Sequence, residues 1–183
     1  MKKSILVAVL LLGCCALAMA EEIPKAEILA GYSFYRCNPE GVTGNCDLNG
    51  WIASLSANAT KWFGAVAEFN GNYGSVEDVD SVRVMSFMFG PRVYIRKNDK
   101  VTPFVHALFG DTYIHAKAGR IKFLKENDFS MAFGGGLDLK VGKFIAARPF
   151  QVDYVTFDPK QSARMHNFRF AAGIIFKLGE RGN

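Results

Sequence analysis

The sequence predicts an all-β fold, an eight-stranded antiparallel up-and-down transmembrane β-barrel. Three observations carry this: two-faced alternation along the strands, a secretion signal ahead of them, and connections that alternate in length. The last strand, His166–Leu178, shows the alternation most clearly. In it Phe168, Phe170, Ala172, Ile174, Phe176 and Leu178 alternate with Asn167, Arg169, Ala171, Gly173, Ile175 and Lys177. Successive strand side chains point to opposite faces, so an apolar row backed by small and charged residues fits lipid on one side and a polar interior on the other.

The first twenty residues read as a cleaved signal peptide. Lys2 and Lys3 precede the apolar run Ile5–Leu12, and Ala18-Met19-Ala20 offers a small-x-small cleavage site before Glu21-Glu22. That apolar run is short against the roughly 20 residues a spanning helix needs. The alternative is a lipobox at Leu11-Leu12-Gly13-Cys14, which would lipidate Cys14. Residues 21–183 then form one domain. Losing Lys2 and Lys3 lowers the formal charge from +5 to +3, too little for a dedicated nucleic-acid binder. Cys14 and Cys15 fall in the signal, leaving Cys37 and Cys46 to close a short Gly/Asn/Pro-rich segment as a disulfide in an exported chain. A metal site there lacks a nearby histidine or second cysteine couple.

Strands follow in order between turn-rich breaks. The first, Ala26–Arg36, ends at the long polar segment Cys37–Asn49, and the second, Gly50–Ala59, ends at the tight turn Thr60-Lys61. In the third, Trp62–Tyr73, the row Phe63, Ala65, Ala67, Phe69, Tyr73 opposes Gly64, Val66, Glu68, Asn70, Asn72; Gly74–Asp80 closes it. In the fourth, Ser81–Lys97, the row Phe87, Phe89, Pro91, Val93, Ile95 opposes Ser86, Met88, Gly90, Arg92, Tyr94, Arg96, up to the turn Asn98-Asp99-Lys100. The fifth, Val101–His115, precedes a basic connection, Ala116–Asn127, holding Lys117, Arg120, Lys122 and Lys125. The sixth and seventh, Asp128–Val141 and Phe144–Thr156, flank Gly142-Lys143, and Phe157–Met165 leads into the last strand. Most exceed the about 9–11 residues a tilted strand needs to cross a bilayer, and bacterial barrels have even strand numbers, short periplasmic turns and long outer loops. Both termini are therefore expected on the periplasmic side, with the Cys37–Cys46 pair in the first outer loop. Glycines, aromatics and β-branched residues weigh against amphipathic helices, and an interior of Glu, Asn and Arg weighs against a soluble ligand-binding calyx.

Several ordered motifs give the chain a resemblance to a known group. They are Ala30-Gly31-Tyr32-Ser33, Phe89-Gly90-Pro91-Arg92, Thr102-Pro103-Phe104, Gly134-Gly135-Gly136-Leu137-Asp138, Gln151-Val152-Asp153-Tyr154 and Gly173-Ile174-Ile175-Phe176. Together they resemble the small outer-membrane β-barrels of the OmpA/OmpX type. The resemblance implies a bacterial outer-membrane location, contact with outer-membrane lipid, and passage through periplasmic chaperones and the barrel-assembly machinery. It implies no reaction and no cofactor. Relatives often end on an aromatic residue, whereas this chain continues past Phe176 through Lys177-Leu178, and no peptidoglycan-binding domain is expected after that point.

The candidate site is the interior: Glu68, Arg92, Asp138, Asp153 and Arg169, with Asn70, Tyr94, Gln151 and His106. An eight-stranded barrel is just wide enough for side chains to fill, and a lone buried charge is costly, so these groups are expected to pair as a polar plug. The function expected is non-enzymatic, either envelope integrity or surface interaction through a loop partner the sequence does not name. A narrow pore past the same charges and a lipid A-modifying acyl enzyme are the alternatives. The enzyme would need a nucleophile activated by a base near the outer rim. His115, or His166 with Ser162, comes nearest, without an acid in a recognisable motif.

Overall fold

The computed structural model describes residues 23–37, 46–76, 79–98, 100–118, 121–157 and 165–180. At 37, 46, 75–76, 79–81, 116–118, 121–127, 157, 165–166 and 180 the description covers the backbone alone. Eight strands form one closed antiparallel barrel: β1 (Pro24–Cys37), β2 (Cys46–Asn58), β3 (Phe63–Val76), β4 (Val79–Tyr94), β5 (Val101–Ala118), β6 (Ile121–Lys140), β7 (Ile145–Phe157) and β8 (Met165–Glu180). Each strand pairs with its sequence neighbours, and β8 returns to β1 through the ladder from Pro24↔Glu180 to Arg36↔Phe168. Closure leaves no edge strand, which satisfies the backbone polar groups within the sheet.

Three tight turns and both described ends of the chain lie at one end of the barrel, here the turn end. Thr60 Oγ1 accepts from the amides of Trp62 and Phe63 at 3.2 and 3.0 Å, and Asn98 Oδ1 accepts from Lys100 N at 2.8 Å. The amides of Val141 and Gly142 both donate to Ile145 O. Hydroxyl and amide side chains thus stand in for backbone partners, which is why Thr and Asn suit these positions.

At the opposite, loop end the strands run further than the sequence pattern predicts. Val76 pairs with Val79 and Ala118 with Ile121, so only residues 77–78 and 119–120 separate those strand pairs. The expected connections Gly74–Asp80 and Ala116–Asn127 are therefore mostly paired strand, and Lys117, Lys122 and Lys125 are ladder residues. Polarity marked this segment as loop. A hairpin projecting beyond an apolar band has no need of an apolar face, so polarity does not end the strand. Similarly, β2 begins at Cys46 instead of Gly50, and Cys37 and Cys46 are direct ladder partners at the base of the first connection, not residues within it. Arg120, Ser162 and the other residues of the connections 38–45 and 158–164 lie outside the described residues.

Alternation sets the two faces. Phe89, Val93, Phe150, Val152, Phe170, Ile174 and Phe176 are exposed on the outward face, along with Trp51, Phe69, Phe87 and Phe133. Arg92, Asp153 and Arg169 are buried on the inward face. The alternation breaks once in β7: Arg148 and Gln151 both point inward although three positions apart, because the register with β8 shifts between them and Pro149 and Phe150 both face outward. Proline cannot donate to a ladder and is accommodated at such bulges.

Candidate functional site: the filled lumen

Three arginines and three carboxylates form the charged centre of the lumen. Arg169 on β8 reaches across to Glu68 on β3 and also binds Asp153 on β7, its Nε and Nη2 lying 3.0 and 2.6 Å from Asp153 Oδ2. Asp138 on β6 accepts two hydrogen bonds from Arg148, from Nε at 2.7 Å and from Nη2 at 2.9 Å. This fork-to-fork geometry is the strong form of the carboxylate–guanidinium pair. Gln151 joins the two groups. Its Oε1 accepts from Arg148 Nη1 at 2.7 Å, and its Nε2 donates to Asp153 Oδ2 at 2.8 Å and Glu68 Oε2 at 3.2 Å.

His106 on β5 links Arg92 to this group. Arg92 Nη2 lies 3.2 Å from His106 Nδ1, and His106 Nε2 lies 2.7 Å from Asp153 Oδ1. A guanidinium only donates, so Nδ1 is the acceptor and Nε2 carries the proton that goes to Asp153. Arg92 Nη1 also donates to Ser56 at 3.2 Å. With His106 in that tautomer, three arginines balance three carboxylates. The charges can remain buried on these terms: Arg148 and Arg169 each meet a carboxylate directly, and Arg92 reaches Asp153 through His106 while donating to Ser56.

The structure places all five expected interior residues, Glu68, Arg92, Asp138, Asp153 and Arg169, in the buried lumen. It brings Glu68, Asp153 and Arg169 into direct contact, Asp138 through Arg148 and Gln151, and Arg92 through His106. Arg148 was missed because strict alternation from Gln151 and Asp153 assigns it to the outward face. Pro149 in the middle of a strand was the available signal.

Phe104 is the second unexpected member. Arg92 and Arg148 stack on its ring with guanidinium carbons 4.6 and 4.1 Å from the centroid, contacts of cation–π type. Glycine makes the room: a Cβ on Gly136 would meet Phe104 Cζ at 2.8 Å, and one on Gly134 would meet Asp153. Gly134-Gly135-Gly136 thus leaves space for a ring and a carboxylate opposite it.

Toward the loop end the filling changes. Tyr35, Leu48, Val66, Val84, Met88, Leu108, Ala132 and Val155 form a buried apolar cluster inside the barrel, with Val82 and Ile114 packed against it. The expectation was a polar plug, with Val66 and Met88 in the inward rows; the structure gathers such apolar members into a layer of their own at this end. Polar contacts persist around it: Ser86 Oγ and Thr112 Oγ1 are 2.9 Å apart, and Asn72 Nδ2 donates to Ser33 O at 3.1 Å. A smaller apolar cluster, Leu29, Ile52, Ala146, Ala171 and Ile175, lines the β1–β2 and β7–β8 wall beside the charges.

At the loop end of β1 and β2, Arg36 and Asp47 pair on the outer surface at 3.0 and 3.2 Å, one register step from Cys37↔Cys46. The hydrogen bond from Arg36 holds the Asp47 carboxyl below its ordinary range. His115 is exposed on β5, and its ladder neighbours are Arg83 and Lys125, neither of them a hydroxyl, a thiol or a carboxylate. The backbone of His166 pairs with Thr156.

No family model and no curated sequence matches the chain. Solved structures do. Neisserial surface protein A aligns with a TM-score of 0.73 at 9% identity, covering 87% of this chain and 100% of that one. Ail, the attachment invasion locus protein of Yersinia pestis, aligns at 0.59 and 17% identity, covering 86% and 100%. OprG of Pseudomonas aeruginosa, an outer membrane protein, aligns at 0.59 and 9%, covering 88% and 99%. The fold is that of the small eight-stranded outer-membrane β-barrels, the OmpA/OmpX type.

Proposed function

We propose that the chain is a non-enzymatic protein of the bacterial outer membrane whose lumen is sealed, and that it serves envelope integrity or presents its outer connections to the surroundings. The observation that carries this is the doubly filled lumen, with ties between strands that are not neighbours: Arg169 to Glu68, His106 to Asp153 and Arg92 to Ser56. Above these lies a mainly apolar layer of packed side chains that fills the lumen a second time. The outward row of Phe, Val, Ile and Trp side chains supports lipid contact. The likeness in fold to proteins solved as outer-membrane barrels supports the location, with the turn end and both chain ends toward the periplasm. Cleavage after Ala20 and a Cys37–Cys46 bond belong to the same reading; the ladder pairing of the two cysteines supports the bond, since opposed strand positions lie within disulfide range.

Planar-bilayer recording tests the seal. Purified protein is expected to give no reproducible conductance, and a steady unitary current lost on Arg92→Ala would replace this reading with a pore. Lipid A mass spectra from cells with and without the protein should match. A change in acyl count that depends on His115 or His166 would instead establish an enzyme.

A further inference from the structure

At the turn end, on the far side of the charged network from the apolar layer, the barrel opens into a cavity of about 120 Å³. Its charged lining consists of Lys61, Arg96, Lys140 and Lys177 against Glu27 and Asp138. Both carboxylates are already engaged. Asp138 accepts two hydrogen bonds from Arg148, while Glu27 accepts from Tyr94 at 3.2 Å and lies 3.5 Å from Arg96.

The cations are less completely matched. Lys140 and Lys177 have no ion-pair partner among the described residues. Arg96 stacks on the Tyr94 ring, its guanidinium carbon 4.3 Å from the centroid, and its buried Nη1 has no hydrogen-bond partner among the described residues. Like charges gathered in a concave, partly desolvated mouth repel one another and focus a positive potential, which an anion relieves. The volume exceeds that of a single water site several-fold and suits a tetrahedral oxyanion. Asn98 and Thr102 add neutral donors to the lining.

We propose that this mouth is an anion site of the phosphate class, with Arg96, Lys140 and Lys177 as its ligands. Such a group comes from two sources, free phosphate or the headgroup of a phospholipid in the adjoining leaflet, and the same cations recognise both. The site is independent of whether the lumen above it conducts.

The test is a titration of inorganic phosphate into the folded protein in an uncharged detergent, at constant ionic strength held with chloride, followed by backbone amide NMR. Saturable shifts are expected at Arg96, Lys140 and Lys177. Arg96→Gln and Lys140→Gln should each weaken binding about tenfold, the size of one lost charge-assisted hydrogen bond. Lys143→Gln, at the rim over the Phe144 ring, should leave binding unchanged. Heat-modifiable migration on gels confirms that each variant is folded, and the exposed Lys140 decides the matter if Arg96→Gln does not fold. Repeating the titration in phosphatidylglycerol nanodiscs separates the sources: suppressed phosphate binding assigns the headgroup, and unchanged binding assigns the free anion. Absence of saturation, or equal affinity in the wild type and both cavity variants, overturns the proposal.

Discussion

Along β4 the inward side chains are Tyr94 and Arg92 toward the turn end, with Arg96 just beyond the strand, and Met88 and Val84 toward the loop end. β5 and β7 repeat the change, His106 giving way to Leu108 and Asp153 to Val155. Both regions exclude solvent, by different means. In the charged half the partners are directional, so each atom has an assigned place: Asp153 serves His106, Gln151 and Arg169 at once. In the apolar half the side chains need only fill volume. The charged half therefore depends on every member being present, whereas the apolar half should tolerate exchange of one hydrocarbon for another.

The largest expected effect breaks the charged half. Arg169→Ala leaves Glu68 and Asp153 buried with their shared cation gone and should cost about 3–5 kcal/mol, read from urea unfolding of the protein folded into vesicles. Replacing Glu68, Asp153 and Arg169 together with apolar residues of similar volume should cost much less, because no unpaired charge remains. If the single and the triple replacement cost the same, the difference between the halves is not one of charge pairing.

Leu108→Ala, in the apolar half, should cost about 2–5 kcal/mol by cavity formation in the same assay, and Leu108→Met well under half of that. A third variant contrasts lumen with exterior: Phe89→Arg, on the outward row, should cost about 2–4 kcal/mol if that residue lies near the bilayer midplane. A neutral result would contradict its contact with lipid. At the base of the first connection, Cys37→Ser should lower stability by about 2.5–3 kcal/mol relative to the oxidised protein, the loop-entropy value for so short a closure. Reductant should abolish the difference.

The smallest effect is the Arg36–Asp47 pair. Its carboxyl is held below the ordinary range in the folded protein, so its contribution is present above the unfolded value near 4 and is lost as pH falls through the lowered folded value. The unfolding midpoints of Asp47→Asn and wild type should differ slightly at about pH 7 and converge at about pH 2. Exposure and salt screening keep this difference small.

Glu68, Arg92, Asp138, Asp153 and Arg169 were legible because each is the polar member of an alternating pair in a strand whose other face is apolar. Val84 and Leu108 were not. Their strands carry apolar residues on both faces there, Met85 beside Val84 and Phe109 beside Leu108, so polarity held no signal about which side of the wall each occupies. Arg148 was hidden by a single inserted step in β7, since one change of register moves every residue beyond it to the opposite face. The polar stretch 116–127 looked like a loop because composition records what a segment can expose, not whether its backbone is paired.

The sequence by itself determined the strand number, the antiparallel order, the end at which the tight turns gather and the face on which most residues lie. These follow from a period of two and from local turn chemistry, both short-range properties of the chain. Tertiary structure alone decided which charges meet. Arg169 and Glu68 stand 101 positions apart and on strands that are not neighbours. They touch only because closing eight strands fixes a lumen narrow enough for one side chain to span it, and no local pattern encodes that diameter.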